Sequence, residues 1–113
     1  MALLFQRLAR NFVKDGYFPT DTETSARILS MLDPSETGTM RIVDPCAGEG
    51  AALTECKVYL GPDRVEAFGV EFYAERVWRA KGLLDRVIHA DFQETIVTPK
   101  SFGLLWLNPP FYD

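Results

Sequence analysis

The chain has 113 residues, enough for one domain with a modest core, and 47% of them are apolar, an ordinary share for a globular fold. A net charge of −4 argues against a self-sufficient nucleic-acid-binding face, and no apolar run is long enough to cross a membrane. Cys46 and Cys56 have neither disulfide-framework nor metal-finger spacing, and the start Met1–Arg7 lacks the apolar stretch of a secretory signal, so a reduced, cytoplasmic, metal-free setting is expected.

In chain order, the first expected element is a helix in which Leu4, Leu8 and Phe12 recur at i, i+4, i+8, with Gly16 as its stop. The turn Tyr17-Phe18-Pro19 leads into Thr20-Asp21-Thr22-Glu23, which reads as a capping box with Thr20 as N-cap and Glu23 reaching back. The helix it starts places Ile28, Leu29 and Leu32 on one face and ends before Pro34. These helices make residues 1–39 an N-terminal segment, and 40–113 a second unit of different pattern. Strands are expected at Arg41–Asp44, Val65–Glu71, Val87–Ala90 and Phe102–Leu107, with helices at Ala51–Leu60 and from Ala74 to Lys81. Such alternation implies right-handed βαβ units and a parallel sheet of about four strands with flanking helices, an α/β, Rossmann-like architecture. The apolar run Phe102–Leu107 reads as a strand covered on both faces. Trp78 and Trp106 alternate with aliphatic residues and are expected in the core, and His89, the only histidine, is expected to be structural.

The segment Asp44-Pro45-Cys46-Ala47-Gly48-Glu49-Gly50 sits between a strand and a helix, the context of a ligand-binding loop. Gly48 and Gly50 remove side chains where a ligand approaches the backbone, and the helix start beyond offers free N–H groups. Asp44, at the strand end, can accept from an ammonium or from bound water. Glu71 ends the next strand about 20 residues after Gly50, the placement of an acid that binds ribose hydroxyls. Asp91 and Phe92 follow the third strand, where a carboxylate can accept from an exocyclic amine and a ring can cover an adenine face. Structural readings stand beside these: a glycine turn without ligand, a strand-end glutamate, a helix N-cap at Asp91 and a core ring at Phe92. Cys46 reads as a packing residue, since no histidine base is near it in sequence.

After the fourth strand, Asn108-Pro109-Pro110-Phe111 is the most specific signal. The prolines lock the backbone and remove two donors, and the residue before a proline is held extended. An amide oxygen of Asn108 and the bare carbonyl of Pro109 are thereby displayed beside an aromatic ring. Each can accept one N–H of a planar amine and turn its lone pair toward an electrophile.

Taken together these residues resemble the class I S-adenosylmethionine-dependent amino-methyltransferases, above all the N6-adenine DNA methyltransferases. Asp44-Pro45-x-x-Gly48-x-Gly50 resembles their cofactor loop, with Cys46 inside it; Glu71, followed by Phe72, resembles the ribose-binding acid; Asp91-Phe92 resembles the adenine-contacting pair. Asn108-Pro109-Pro110-Phe111 resembles their catalytic tetrapeptide, and Phe18-Pro19-Thr20 the upstream segment that touches the methionine end of the cofactor. The resemblance implies S-adenosylmethionine as cofactor, adenine N6 in DNA as target, a flipped-out base, and direct in-line methyl transfer, in a restriction-modification setting. Amino groups of RNA and a protein glutamine amide offer the same planar nitrogen. Family members continue the sheet beyond the tetrapeptide, so the chain is expected to be the N-terminal part of such an enzyme, or a non-catalytic assembly module.

Arg64, Arg76, Arg79, Lys81 and Arg86 are interleaved with Asp63, Glu66, Glu71, Glu75 and Asp85, a solvated mixed-charge surface. A nucleic-acid partner is therefore expected to be gripped largely by other parts of the enzyme or a second chain, and the apolar fourth strand suggests a homo-oligomer.

Overall fold

The computed structural model describes residues 19–108. The expected first helix around Leu4–Phe12, Phe18, and Pro109, Pro110 and Phe111 of the tetrapeptide lie outside them.

The first described helix, α1 (Thr22–Leu29), starts one residue later than a Thr20 cap requires. Asp21 is the N-cap, its carboxylate accepting from the Thr24 N–H and hydroxyl, both at 2.8 Å. Aspartate is the stronger cap, and each of its two carboxylate oxygens accepts one of these donors. Glu23 does not reach back; it pairs with Arg27 at 3.2 Å on the exposed face. Leu29 is buried, Ile28 is 38% exposed, and Leu32 lies in the turn beyond the helix yet still packs on the core.

Four parallel strands follow: β1 (Met40–Asp44), β2 (Val65–Glu71), β3 (Arg86–His89) and β4 (Leu104–Leu105), in the order β3-β2-β1-β4. Helices α2 (Ala51–Leu60) and α3 (Ala74–Lys81) connect the first three. Glycine marks both ends of α2, Gly50 and Gly61, and the end of α3, Gly82, which is why these boundaries follow the sequence so closely.

All three helices feed one core. Ile42 and Ala67, partners in register, are fully buried with Leu53 and Cys56 of α2, joined by Leu29, Ala80, Leu84 and Trp106. Trp106 is therefore in the core as expected, but Trp78 is 81% exposed. On α3, Val77 and Ala80 form the buried stripe, and the next residue along a helix is turned about 100° away from it.

The fourth strand is shorter than expected and is not covered on both faces by described residues. Only Leu104–Leu105 are strand, although Gly103 and Trp106 donate to Arg41 and Val43 carbonyls at 2.8 and 2.9 Å. Leu104 packs on the core while Leu105 and Leu107 are each 58% exposed. No described helix is long and apolar enough to cross a membrane.

Candidate cofactor and amine site

In open α/β sheets ligands bind beyond the carboxyl ends of the strands, at the point where strand order reverses. Here that point lies between β1 and β4. The glycine loop leaves β1 on one side of it and Asn108 follows β4 on the other.

The loop is tied down by its own backbone. Ala47 donates to the Val70 carbonyl at 2.9 Å and Gly50 to the Ala47 carbonyl at 3.0 Å. Gly48 and Gly50 have φ of +59° and +88°, left-handed conformations that favour glycine. Glu71 clamps the turn: Oε1 accepts from Gly48 N–H and Oε2 from Tyr73 N–H, each at 2.8 Å. Glu49 pairs with Arg79 of α3 at 2.8 Å, adding a charged tie at the surface.

Asp44 and Glu71 are thus two buried carboxylates at the ends of adjacent strands, 4% and 6% exposed. Asp44 accepts one N–H, from Cys46 at 2.9 Å. Burial pushes its carboxyl up to about 7, with the Glu71 charge adding to the rise and the Cys46 N–H opposing it. The Cys46 thiol is pushed up to about 11 by burial and by Asp44, Glu71 and Asp91. It stays protonated near neutrality, which suits a packing residue and not a nucleophile.

Asp91 takes the structural role open to it: it caps the 3₁₀ turn Phe92–Glu94, accepting from Gln93 N–H at 2.9 Å. Its neighbour Phe92 is 38% exposed and lines an apolar groove of about 320 Å³ with Val43, Pro45 and Leu105. Phe72 is exposed just past β2, its ring edge-on to Tyr73. His89 donates from Nε2 to the Phe72 carbonyl at 2.8 Å, so the lone histidine ties the β3 end to the β2 exit. Among the described residues no group of His, Cys, Asp and Glu is arranged to hold a metal ion.

On the other side of the switch point, Asn108 is half-buried and its Nδ2 donates to the Thr20 hydroxyl at 3.0 Å. These residues, 88 positions apart, line an apolar crevice of about 520 Å³ with Pro19, Asp21, Ile28 and Leu107. The structure therefore brings Pro19, Thr20 and Asn108 together at one mouth, and Asp44, Cys46, Gly48, Gly50 and Glu71 into one loop cluster.

A family model described as an uncharacterised methyltransferase family, DUF6094, matches residues 2–113. The chain belongs to that family. The resemblance drawn from the glycine loop and the tetrapeptide thus holds at the level of a methyltransferase. No curated protein matches the chain in sequence. Among solved structures it is similar to a type I restriction-modification methyltransferase subunit from Streptococcus thermophilus, with a TM-score of 0.67 and 22% identity over 83% of this chain and 23% of that one. It is also similar to a TehB-like SAM-dependent methyltransferase from Corynebacterium glutamicum, with a TM-score of 0.58 and 16% identity over 93% of this chain and 53% of that one. The plantazolicin methyltransferase BpumL, solved with SAH, gives a TM-score of 0.53 and 20% identity over 76% of this chain and 32% of that one. The chain spans between about a quarter and a half of these proteins, and what it shares with them is the Rossmann-like methyltransferase fold.

Two residues of this methyltransferase-family site escape the sequence reading. A Cβ on Gly69 would lie 2.7 Å from Leu84 Cδ1 and 2.8 Å from the Ala47 Cβ, so the bare β2 backbone is what lets the loop seat. An isolated glycine inside a strand is a recognised sign of such close approach, and that signal was available. Tyr73 contributes a backbone N–H to Glu71, a role that no side-chain pattern announces.

Proposed function

We propose that the chain forms the cofactor-binding and amine-facing part of an S-adenosylmethionine-dependent amino-methyltransferase, with adenine N6 in DNA as its target. The observation that carries this reading is the pairing across the switch point: a buried acidic loop after β1 and an amide side chain held at the exit of β4. The site suits the cofactor on its own chemistry. Asp44 is a buried carboxyl raised to about 7 for want of compensating charge, and a cationic ligand placed beside it relieves that cost.

Asp44 would hold the cationic, amino-acid end through its carboxylate, the left-handed Gly48–Gly50 loop would let it approach the backbone, and Glu71 would take ribose hydroxyls on its remaining lone pairs. A carboxylate has about four acceptor positions, so the two N–H bonds Glu71 already accepts leave room for more. Phe72, Asp91 and Phe92 would flank the adenine. When bound, S-adenosylmethionine supplies an activated methyl group. The protein's part is to hold the amine: Asn108 Oδ1 would accept one of its N–H groups, the family resemblance assigns the other to the Pro109 carbonyl and the stacking ring to Phe111, and the apolar crevice would keep water away. Positioning of this kind accounts for most of the gain in a direct transfer.

The fold does not choose the substrate, since the similar structures include both a restriction-modification subunit and a plantazolicin methyltransferase. DNA is favoured by the resemblance of the glycine loop and the Asn-Pro-Pro-Phe tetrapeptide to the N6-adenine DNA methyltransferases above all. Labelled cofactor offered with unmethylated DNA, RNA and glutamine peptides tests this. The expected product is N6-methyladenine in DNA, formed by wild type and not by Asn108→Ala. Label in RNA or peptide alone would reassign the substrate, and no label in any of them would refute the activity.

A further inference from the structure

We propose that Thr20 is a positioning residue for Asn108, acting on the amide that faces the substrate amine and not on the cofactor. The proposal rests on the reading of Asn108 as that amine's acceptor. An asparagine amide turns about its last side-chain bond with little hindrance, and only one of its two ends can serve a planar amine. The amine brings N–H donors, so Oδ1 facing it makes a hydrogen bond while Nδ2 facing it repels. With Nδ2 donating to Thr20 Oγ1 at 3.0 Å, one amide N–H is engaged, the amide plane is fixed, and Oδ1 is turned away from Thr20. A hydroxyl can also donate, so the incoming amine selects the productive orientation and Thr20 holds it there.

The anchor is stiff. Thr20 lies between Pro19, whose ring fixes its own φ, and Asp21, whose carboxylate is bound to both the N–H and the hydroxyl of Thr24 at 2.8 Å. Helix α1 is in turn seated in the core through Ser25 and Leu29. A displacement at the α1 N-cap therefore moves the amide of a residue 88 positions away.

The test uses Thr20→Val, which keeps shape and loses the hydroxyl, and Thr20→Ser, which keeps the hydroxyl. The chain has two asparagines and two glutamines, so its side-chain amide signals in a nitrogen–proton NMR spectrum are few, and Asn108→Ala assigns the relevant pair. Thr20→Val is expected to shift the Asn108 pair and leave the Gln93 pair in place, while Thr20→Ser restores it. In methyl transfer from labelled S-adenosylmethionine to unmethylated DNA, Thr20→Val is expected to lower kcat by about 10- to 100-fold with the cofactor KM changed by about two-fold or less. Thr20→Ser recovers most of that loss, and Thr20→Val adds nothing further in an Asn108→Ala background. Unshifted Asn108 signals would overturn the inference, as would wild-type kcat for Thr20→Val in an enzyme that Asn108→Ala inactivates. A loss carried wholly by cofactor KM would also overturn it. A wild-type protein that methylates none of DNA, RNA or glutamine peptides would sink the reading of the site itself, and the positioning role with it.

Discussion

At the scale of single residues, two acids at the ends of adjacent strands flank the glycine loop and do different work. Asp44 keeps its proton up to about pH 7 in the folded chain, whereas an unfolded aspartate releases it near 3.8. Between those values the folded state binds more protons than the unfolded one, so stability falls as pH rises through that window and stays lower above it. Asp44→Asn keeps an acceptor for the Cys46 N–H and removes the charge. Its melting temperature is expected to exceed wild type by several degrees near pH 8 and to match it near pH 4. Equal melting curves at both would contradict the buried-charge assignment. Glu71, by contrast, satisfies two backbone donors. Removing it leaves both without a partner, so Glu71→Ala is expected to cost about 2–4 kcal/mol in urea unfolding. Glu71→Gln, which keeps one acceptor oxygen, should cost clearly less. Equal costs would mean that the clamp is not what Glu71 provides.

At the scale of elements, β2 and the glycine loop behave as one unit because Gly69 lets Ala47 lie against the strand. Gly69→Ala puts a methyl group where Ala47 and Leu84 already stand, and is expected to destabilise the chain by about 1–3 kcal/mol and to weaken cofactor binding with it. Unchanged thermal stability and affinity would show that the loop can move aside. Helices α2 and α3 and strand β2 were legible to the residue, because Gly50, Gly61-Pro62 and Gly82 punctuate the sequence where the chain must turn. The α1 cap was misplaced by one position, since Thr20 and Asp21 are both competent caps and only the tertiary contact to Asn108 separates their roles. Strand β4 was overextended because an apolar run fixes neither burial nor strand length: Leu105 and Leu107 are exposed, and register pairing with β1 extends over Leu104–Leu105 alone. That edge has a consequence: Leu105 is exposed on β4, which among the described residues is the outer strand of the sheet, and the chain is expected to self-associate at micromolar concentration. Sedimentation equilibrium should show Leu105→Lys to be the more monomeric protein, and a monomeric wild type would refute the expectation.

At the scale of the whole molecule, the parallel order β3-β2-β1-β4 sets the glycine loop and Asn108 on the two sides of one switch point, so that motifs far apart in sequence come to the same edge of the sheet. The clustering of Asp44, Gly48, Gly50 and Glu71 was legible because these residues follow consecutive strands. The Thr20–Asn108 contact was not, because no local pattern links residues so far apart. The central claim is that the loop cluster binds S-adenosylmethionine. Calorimetric titration of the folded protein tests it most directly. Binding is expected near pH 8, and it should weaken toward pH 6 with a net proton released on binding, because the cationic ligand prefers ionised Asp44. A folded protein that gives no binding heat with ligand at millimolar concentration, at either pH, would contradict the account.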